Sequence, residues 1–292
     1  MRHSVPVFVL AALASAASAF NASAANAPVT AEPPMEKVDL ELVIATDTSP
    51  SIDTQEARLQ RQGIATAFRS PEIIRAIQNG SLGKIAVAYI DWSSAPFNRL
   101  VLDWRVVKDK ASAEDVAATL LKVPLTYGNG TSVSGALQIA ARMMETNRLE
   151  GTRRTIDISG DGPNNRGMTV IDARDDIVAR GITINGLPII TYEYGVGDWG
   201  AYYLEIDKYY ANCVIGGRGS FSLPAQGFQD FANAVRRKLV LEISEDAPLK
   251  PTELPRIIRT ALAPRTQAPN PLRPAPTARV PRENCVSGFQ DF

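Results

Sequence analysis

VDLELVIATDTSPS, Val38 to Ser51, is the stretch whose reading decides the fold. Its apolar residues alternate at first, at Val38, Leu40 and Leu42, and then run almost unbroken through Val43, Ile44 and Ala45. A strand covered by helices on both faces reads in this way, because neither face is left to water. The run stops at Asp47-Thr48-Ser49-Pro50-Ser51, and Asp53 and Thr54 can cap a helix whose body begins near Gln55. Asp47, Ser49 and Ser51 therefore fall at i, i+2 and i+4 in the loop that leaves the carboxyl end of a strand. Open α/β sheets bind ligands there. One carboxylate and two hydroxyls so spaced can turn three oxygens to one point, and such donors suit a hard cation: Mg2+, Mn2+ or Ca2+. The same residue types also cap helices, so this loop needs support from elsewhere in the chain.

Two other stretches supply it. Tyr127-Gly128-Asn129-Gly130-Thr131-Ser132 is a glycine-rich loop ahead of a helical pattern, Val133 to Glu145. In RTIDISGDGPNN, Arg154 to Asn165, a second apolar strand runs into Gly160-Asp161-Gly162. The chain thus presents a D-x-S-x-S, a lone threonine and a lone aspartate, each in a loop beside a strand or helix end.

With these residues the chain resembles a von Willebrand factor type A (VWA) domain over roughly Val38 to Ile243. Within that family it is similar to a secreted bacterial branch of unknown function, on the runs SGDGPNN and Cys-Val-Ile-Gly-Gly. The resemblance implies a metal-ion-dependent adhesion site (MIDAS). Asp47, Ser49 and Ser51 match its D-x-S-x-S, Thr131 its threonine, and Asp161 the aspartate of its T-D-G. Gly160 departs from the family, which usually has threonine there. The expectations are a divalent cation, Mg2+ first and Mn2+ or Ca2+ next, and a protein partner whose Asp or Glu completes the coordination. No catalytic residue is implied.

The remaining pattern alternates strands and helices, which predicts an α/β, doubly wound, mostly parallel sheet with helices on both faces. Strands are expected at Lys84–Asp91, Leu100–Val107, Arg154–Ser159 and Ile182–Ile190, with Val214-Ile215 as a short last one. By analogy with the family, Leu100–Val107 is the one antiparallel edge. Helices are expected from about Gln55 to Arg69, after Ser70-Pro71, from Ser112 (as cap) to Lys122, from Thr169 to Arg180 and from Phe228 to Ile243. Asp172, Asp175 and Asp176 read as a solvated helix face. The aromatic run Tyr192 to Tyr210 reads equally well as rings packed on the body and as a ligand-contacting rim.

Composition bounds the function. The chain has 292 residues with 31 basic and 31 acidic side chains, so nothing pulls it towards nucleic acid. Residues 1–19 read as an export signal: Arg2, an apolar run from Val5 to Ala17, and the small-residue site Ala17-Ser18-Ala19, with cleavage between 19 and 27. Residues 20–36 read as a flexible leader, 37–244 as the VWA-like domain and 245–292 as a disordered tail rich in proline and arginine. No later segment is long and apolar enough to span a bilayer. A bacterial periplasm or the extracellular space is the expected location. The only histidine is His3, inside the signal, which removes Ser-His-Asp and Cys-His catalysis and histidine-ligated zinc from the exported chain. Two cysteines, Cys213 and Cys285, are expected to form a disulfide in an oxidising compartment.

Other motifs fail on single positions. An EF-hand needs glycine where Ile52 stands. No G-x-x-x-x-G-K-[ST] is present. A phosphatase with an aspartate nucleophile usually needs a second carboxylate at Ser49. Two alternatives to a binding module stay open: a metal-dependent hydrolase with Asp91 or Asp157 as general base, and an envelope scaffold with a vestigial site. Gly288 to Phe292 repeats Gly227 to Phe231 letter for letter, a coincidence of short sequence on this reading.

Overall fold

The computed structural model describes Met1, residues 34–191 and 206–244, the pair Ile258–Arg259, and Cys285. The chain divides into Met1–Pro34 and Met35–Phe292, and the second builds the fold. In chain order its elements are β1 (Glu36–Asp47), α1 (Thr54–Arg69), α2 (Pro71–Gln78), β2 (Ile85–Trp92), β3 (Arg99–Val107), α3 (Lys110–Lys122), α4 (Val133–Thr146), β4 (Leu149–Gly160), α5 (Val170–Ala179), β5 (Thr183–Pro188), α6 (Ile206–Tyr209, continuing into a π-turn over Tyr210–Val214), β6 (Phe221–Ser222), α7 (Phe231–Ile243) and β7 (Ile258–Arg259).

The sheet order is β3-β2-β1-β4-β5-β6-β7. β1 lies within it, parallel to β2 on one side and to β4 on the other, and β5 and β6 continue the parallel set. This explains why the alternation of β1 gives way to an unbroken apolar run. Leu40, Leu42 and Ile44 join a core with residues of α1, α3 and α7, while Val43 and Ala45 join a second core with residues of α4 and α5. The expected antiparallel edge is β3. At the opposite edge the short β7 also pairs antiparallel, with β6. Apart from Ile258–Arg259 and Cys285, the proline-rich segment lies outside the described residues.

Caps follow local chemistry. Asp53 and Glu56 form a reciprocal capping box at α1, and Ser70 caps α2 with proline in its first turn. Two expectations are corrected. The cap of α3 is Asp109, with Ser112 returning the bond from the third helical position, because an aspartate three residues upstream completes the box. Val214-Ile215 is not the last parallel strand. Ile215 N–H reaches back to Tyr210 O at 3.0 Å and closes the π-turn, and Gly217 and Gly219, both at positive φ, redirect the chain so that β6 forms at Phe221–Ser222. Asp172, Asp175 and Asp176 are exposed on α5, as expected of a solvated face.

Candidate metal centre

β1 ends on Asp47, whose side chain is fully buried. The loop after it is pinned to β2: Thr48 N–H and hydroxyl both donate to Trp92 O, at 2.8 and 3.1 Å. Ser49 N–H donates to Asp47 Oδ1 at 2.7 Å, and Gln60 of α1 donates to Asp47 O at 3.2 Å. The Ser49 and Ser51 hydroxyls are 3.1 Å apart, and Ser51 Oγ donates to Asp161 Oδ1 at 2.8 Å. Asp161 follows the last residue of β4, which runs parallel to β1, so the two carboxylates arrive at the same end of the sheet. Asp47, Ser49, Ser51 and Asp161, spread over 110 positions between Ser51 and Asp161 alone, are thereby strung along one chain of hydrogen bonds.

Thr131 is placed between these loops by its backbone. Gly128 N–H donates to Thr48 O at 3.1 Å, and Ser132 N–H to Ser93 O at 2.7 Å. On the other side Asn165 Oδ1 accepts from Thr131 N–H at 2.8 Å, and Asn165 and Arg166 N–H both donate to Thr131 O. Asn164 Oδ1 accepts from Ser134 N–H at 3.0 Å in the first turn of α4. The paired asparagines of GPNN therefore stitch the Asp161 loop to the Thr131 loop. Their spacing from Asp161 is the sequence signal for that role, and it was legible only as part of a family run. The Thr131 hydroxyl makes no hydrogen bond among the described residues.

Behind the loops lies the end of α6. Tyr209 Oη accepts from Asn164 N–H at 3.1 Å, and Tyr210 is buried against β4 and β5. Of the aromatic run read from sequence, Tyr192 to Tyr203 lies outside the described residues. Tyr209 and Tyr210 pack inside, yet both reach the site from beneath.

Both carboxyls of the site hold their protons more tightly than usual. Burial lifts the Asp47 carboxyl well above the usual range, the nearby Asp161 lifts it further, and the Ser49 N–H opposes both. Burial pushes Asp161 up to about 6, against the hydrogen bond from Ser51 and with help from the charge of Glu56. Asp47 Oδ2 is buried with no hydrogen-bond partner, a condition that costs about 1–3 kcal/mol. The donor set is carboxylates and hydroxyls, with no cluster of three or more His, Cys, Asp or Glu among the described residues. An orphaned buried oxygen in an all-oxygen pocket of low protein charge fits a hard divalent cation.

A doubly wound sheet with the Asp47 and Asp161 loops at the carboxyl ends of two parallel strands, and the Thr131 loop between α3 and α4 bonded to them, has the VWA-like fold. The chain belongs to the family described as a protein of unknown function, DUF1194, whose profile matches residues 37–247. No curated protein matches it in sequence. Among solved structures it is similar to the pilus adhesin SpaC of Lactobacillus rhamnosus GG in its open conformation (TM-score 0.50, 14% identity, 73% of this chain and 31% of that one). It is also similar to proximal thread matrix protein 1 of the mussel byssus with a zinc-occupied MIDAS motif (TM-score 0.49, 15% identity, 73% and 49%). A third is the conserved hypothetical protein BatB of Bacteroides thetaiotaomicron (TM-score 0.45, 18% identity, 71% and 100%). The chain spans about half the length of the byssus proteins, 49% of the first. At these identities the likeness concerns the fold. No helix of the described residues is long and apolar enough to cross a membrane.

Proposed function

We propose that this chain is an exported, divalent-metal-dependent binding module of the bacterial periplasm or extracellular space. Asp47, Ser49, Ser51 and Thr131 would hold the ion, Mg2+ first among Mg2+, Mn2+ and Ca2+, with Asp161 acting through Ser51 or directly. The single observation that carries this reading is the buried, unpartnered Oδ2 of Asp47 in a pocket of hydroxyls and one further carboxylate. A bound cation would supply an electrophilic position to which a protein partner's Asp or Glu can bind. The rim suits a protein surface. Phe97, Tyr127 and Met168 are exposed on the loops around the site, and the exposed Arg166 lies across Gly130, beside Thr131. Exposed aromatics and arginine are the residue types that anchor protein interfaces.

Both bases named for the hydrolase alternative are engaged. Asp91 is held by Arg61 at 2.6 Å and Asp157 by Lys238 at 2.6 Å, both buried. Neither is available to activate water without breaking a buried ion pair.

Calorimetry with Mg2+ tests the site. The wild type is expected to bind, and Asp47→Ala to weaken binding by at least about 100-fold, more than loss of an outer contact would. Equal binding by both would remove Asp47 from the site. Protons compete with the ion, since both carboxyls hold theirs more tightly than in the unfolded chain. Mg2+ affinity should therefore rise as pH increases through about 6. The sign reverses for the metal-free fold. A carboxyl whose folded pKa is raised contributes stability below its unfolded value of 3.8 and loses it as pH rises through the folded one. In chelator, the wild type should lose stability relative to Asp161→Asn as pH is raised from 4 to 7, read by thermal melts of the two side by side.

A further inference from the structure

Tyr210 lies on two glycines of neighbouring strands. A Cβ on Gly186 of β5 would stand 2.8 Å from Tyr210 Cδ1. A Cβ on Gly160, at the end of β4, would stand 2.7 Å from Tyr210 Oη, 2.8 Å from Asp47 Oδ2 and 3.1 Å from Trp92 Cζ2. Real Cβ atoms do not approach other atoms so closely as the first two, so glycine at both positions is what lets the ring lie on the sheet with its hydroxyl at the metal loop. The hydroxyl and Asp47 Oδ2 thus both come within 3 Å of one point. Both are buried, and neither has a hydrogen-bond partner. One is a phenol, with a proton to donate. The other is a carboxylate oxygen with two acceptor positions, enough for a donor and a cation together.

The position of Tyr210 is held from below. It opens the π-turn Tyr210–Val214, and Cys213 of that turn is joined to Cys285. π-helical turns are rare, and those that occur are frequent at functional sites.

We propose that Tyr210 belongs to the metal centre as a positioning residue. The two groups make no bond in the structure; on binding of the ion the Tyr210 O–H would close onto Asp47 Oδ2 and orient that carboxylate for the cation, while the Ser49 N–H holds Oδ1. This inference rests on the metal-binding reading above. Ligand-orienting contacts of this kind typically change metal affinity 10–100-fold.

The test compares the full, disulfide-bonded wild-type chain with Tyr210→Phe and Asp47→Ala. Mg2+ is the titrant, followed by calorimetry and by the tyrosine ultraviolet difference spectrum on adding the ion. Melting in chelator is measured in parallel. Tyr210→Phe keeps the ring and is expected to melt at the wild-type temperature or above, since it deletes an unpartnered hydroxyl. It is expected to bind Mg2+ about 10-fold more weakly and to lose the tyrosine difference signal. Wild type that does not bind Mg2+ would overturn the metal reading and this one with it. Two results would overturn this inference alone, given a wild type that binds and an Asp47→Ala that does not. One is a Tyr210→Phe chain with wild-type affinity. The other is a weakened chain that has also lost stability in chelator while keeping the difference signal, because Tyr210 would then be packing only.

Discussion

Replacing Lys238 by methionine should lower the stability of the fold by about 3–5 kcal/mol. Lys238 lies on α7 with its ammonium wholly out of water, 2.6 Å from Asp157 Oδ1 of β4 and bonded to Glu242 one turn further along the helix. Glu242 Oε1 also accepts from Asn185 of β5 at 2.9 Å, and Asn185 Oδ1 accepts from Phe221 N–H of β6 at 3.1 Å. The network thus joins α7 to three adjacent strands. Without the cation two buried carboxyls would face one another with nothing to balance them. Burial, and then the charge of Asp157, already push Glu242 up to about 8, with Lys238 pulling the other way. The stability this carboxyl contributes is complete below its unfolded value of 4.5 and is lost as pH rises through about 8. Urea unfolding at pH 7 measures the effect. A change below about 1 kcal/mol would mean that the carboxyls find other partners.

Neither Lys238 nor Glu242 was readable from the sequence as buried. Phe228, Phe231, Val235 and Leu239 mark the apolar face expected of the last helix, and all four are buried, although α7 begins only at Phe231 and Phe228 lies in the turn before it. Lys238 and Glu242 flank that face and read as its polar border, because lysine and glutamate are almost never fully enclosed unless paired. Their pairing depends on Asp157, some 80 positions away on β4. Periodicity along one helix carries no information about a charge on a strand beneath it. The same limit applies to Tyr210. Its burial could be argued from an apolar neighbourhood, but its approach to Asp47 depends on glycines at positions 160 and 186, which stand on adjacent strands two residues out of register.

What was legible was chemistry tied to the ends of elements. Asp47 closes β1 and Asp161 follows β4, so the spacing of loop residues after an apolar run was enough to place both at the same edge of a parallel sheet. The Ser51–Asp161 hydrogen bond is the direct consequence. Caps were legible where the acceptor stands next to its helix, as at Asp53 and Ser70. The assignment failed at Asp109, where Asp109 and Ser112 each offer an oxygen to the other's backbone and either reads as the cap. The glycine-bounded pair Val214-Ile215 failed for a different reason. A short apolar run has the same composition in a turn of helix as in a strand, and here Ile215 bonds back to Tyr210.

Loss of the Cys213–Cys285 disulfide should cost about 4 kcal/mol of stability, the second large effect expected of a single change. The two cysteines are 72 positions apart, with Cα atoms 5.7 Å from one another, and both are buried. A bond closing so long a loop removes much of the freedom of the unfolded chain, and the cost of its loss grows with the logarithm of loop length. Cys213 sits within the Tyr210–Val214 turn, which packs on α5 and β5, so the bond fastens the end of the chain to the second core. The measurement is urea unfolding of the oxidised wild type against Cys285→Ser. Two observables separate the causes. If the effect lies in the unfolded chain, Cys285→Ser should show a larger dependence on urea, because its unfolded state exposes more surface. If the effect lies in the folded state, the dependence stays the same and only the midpoint moves.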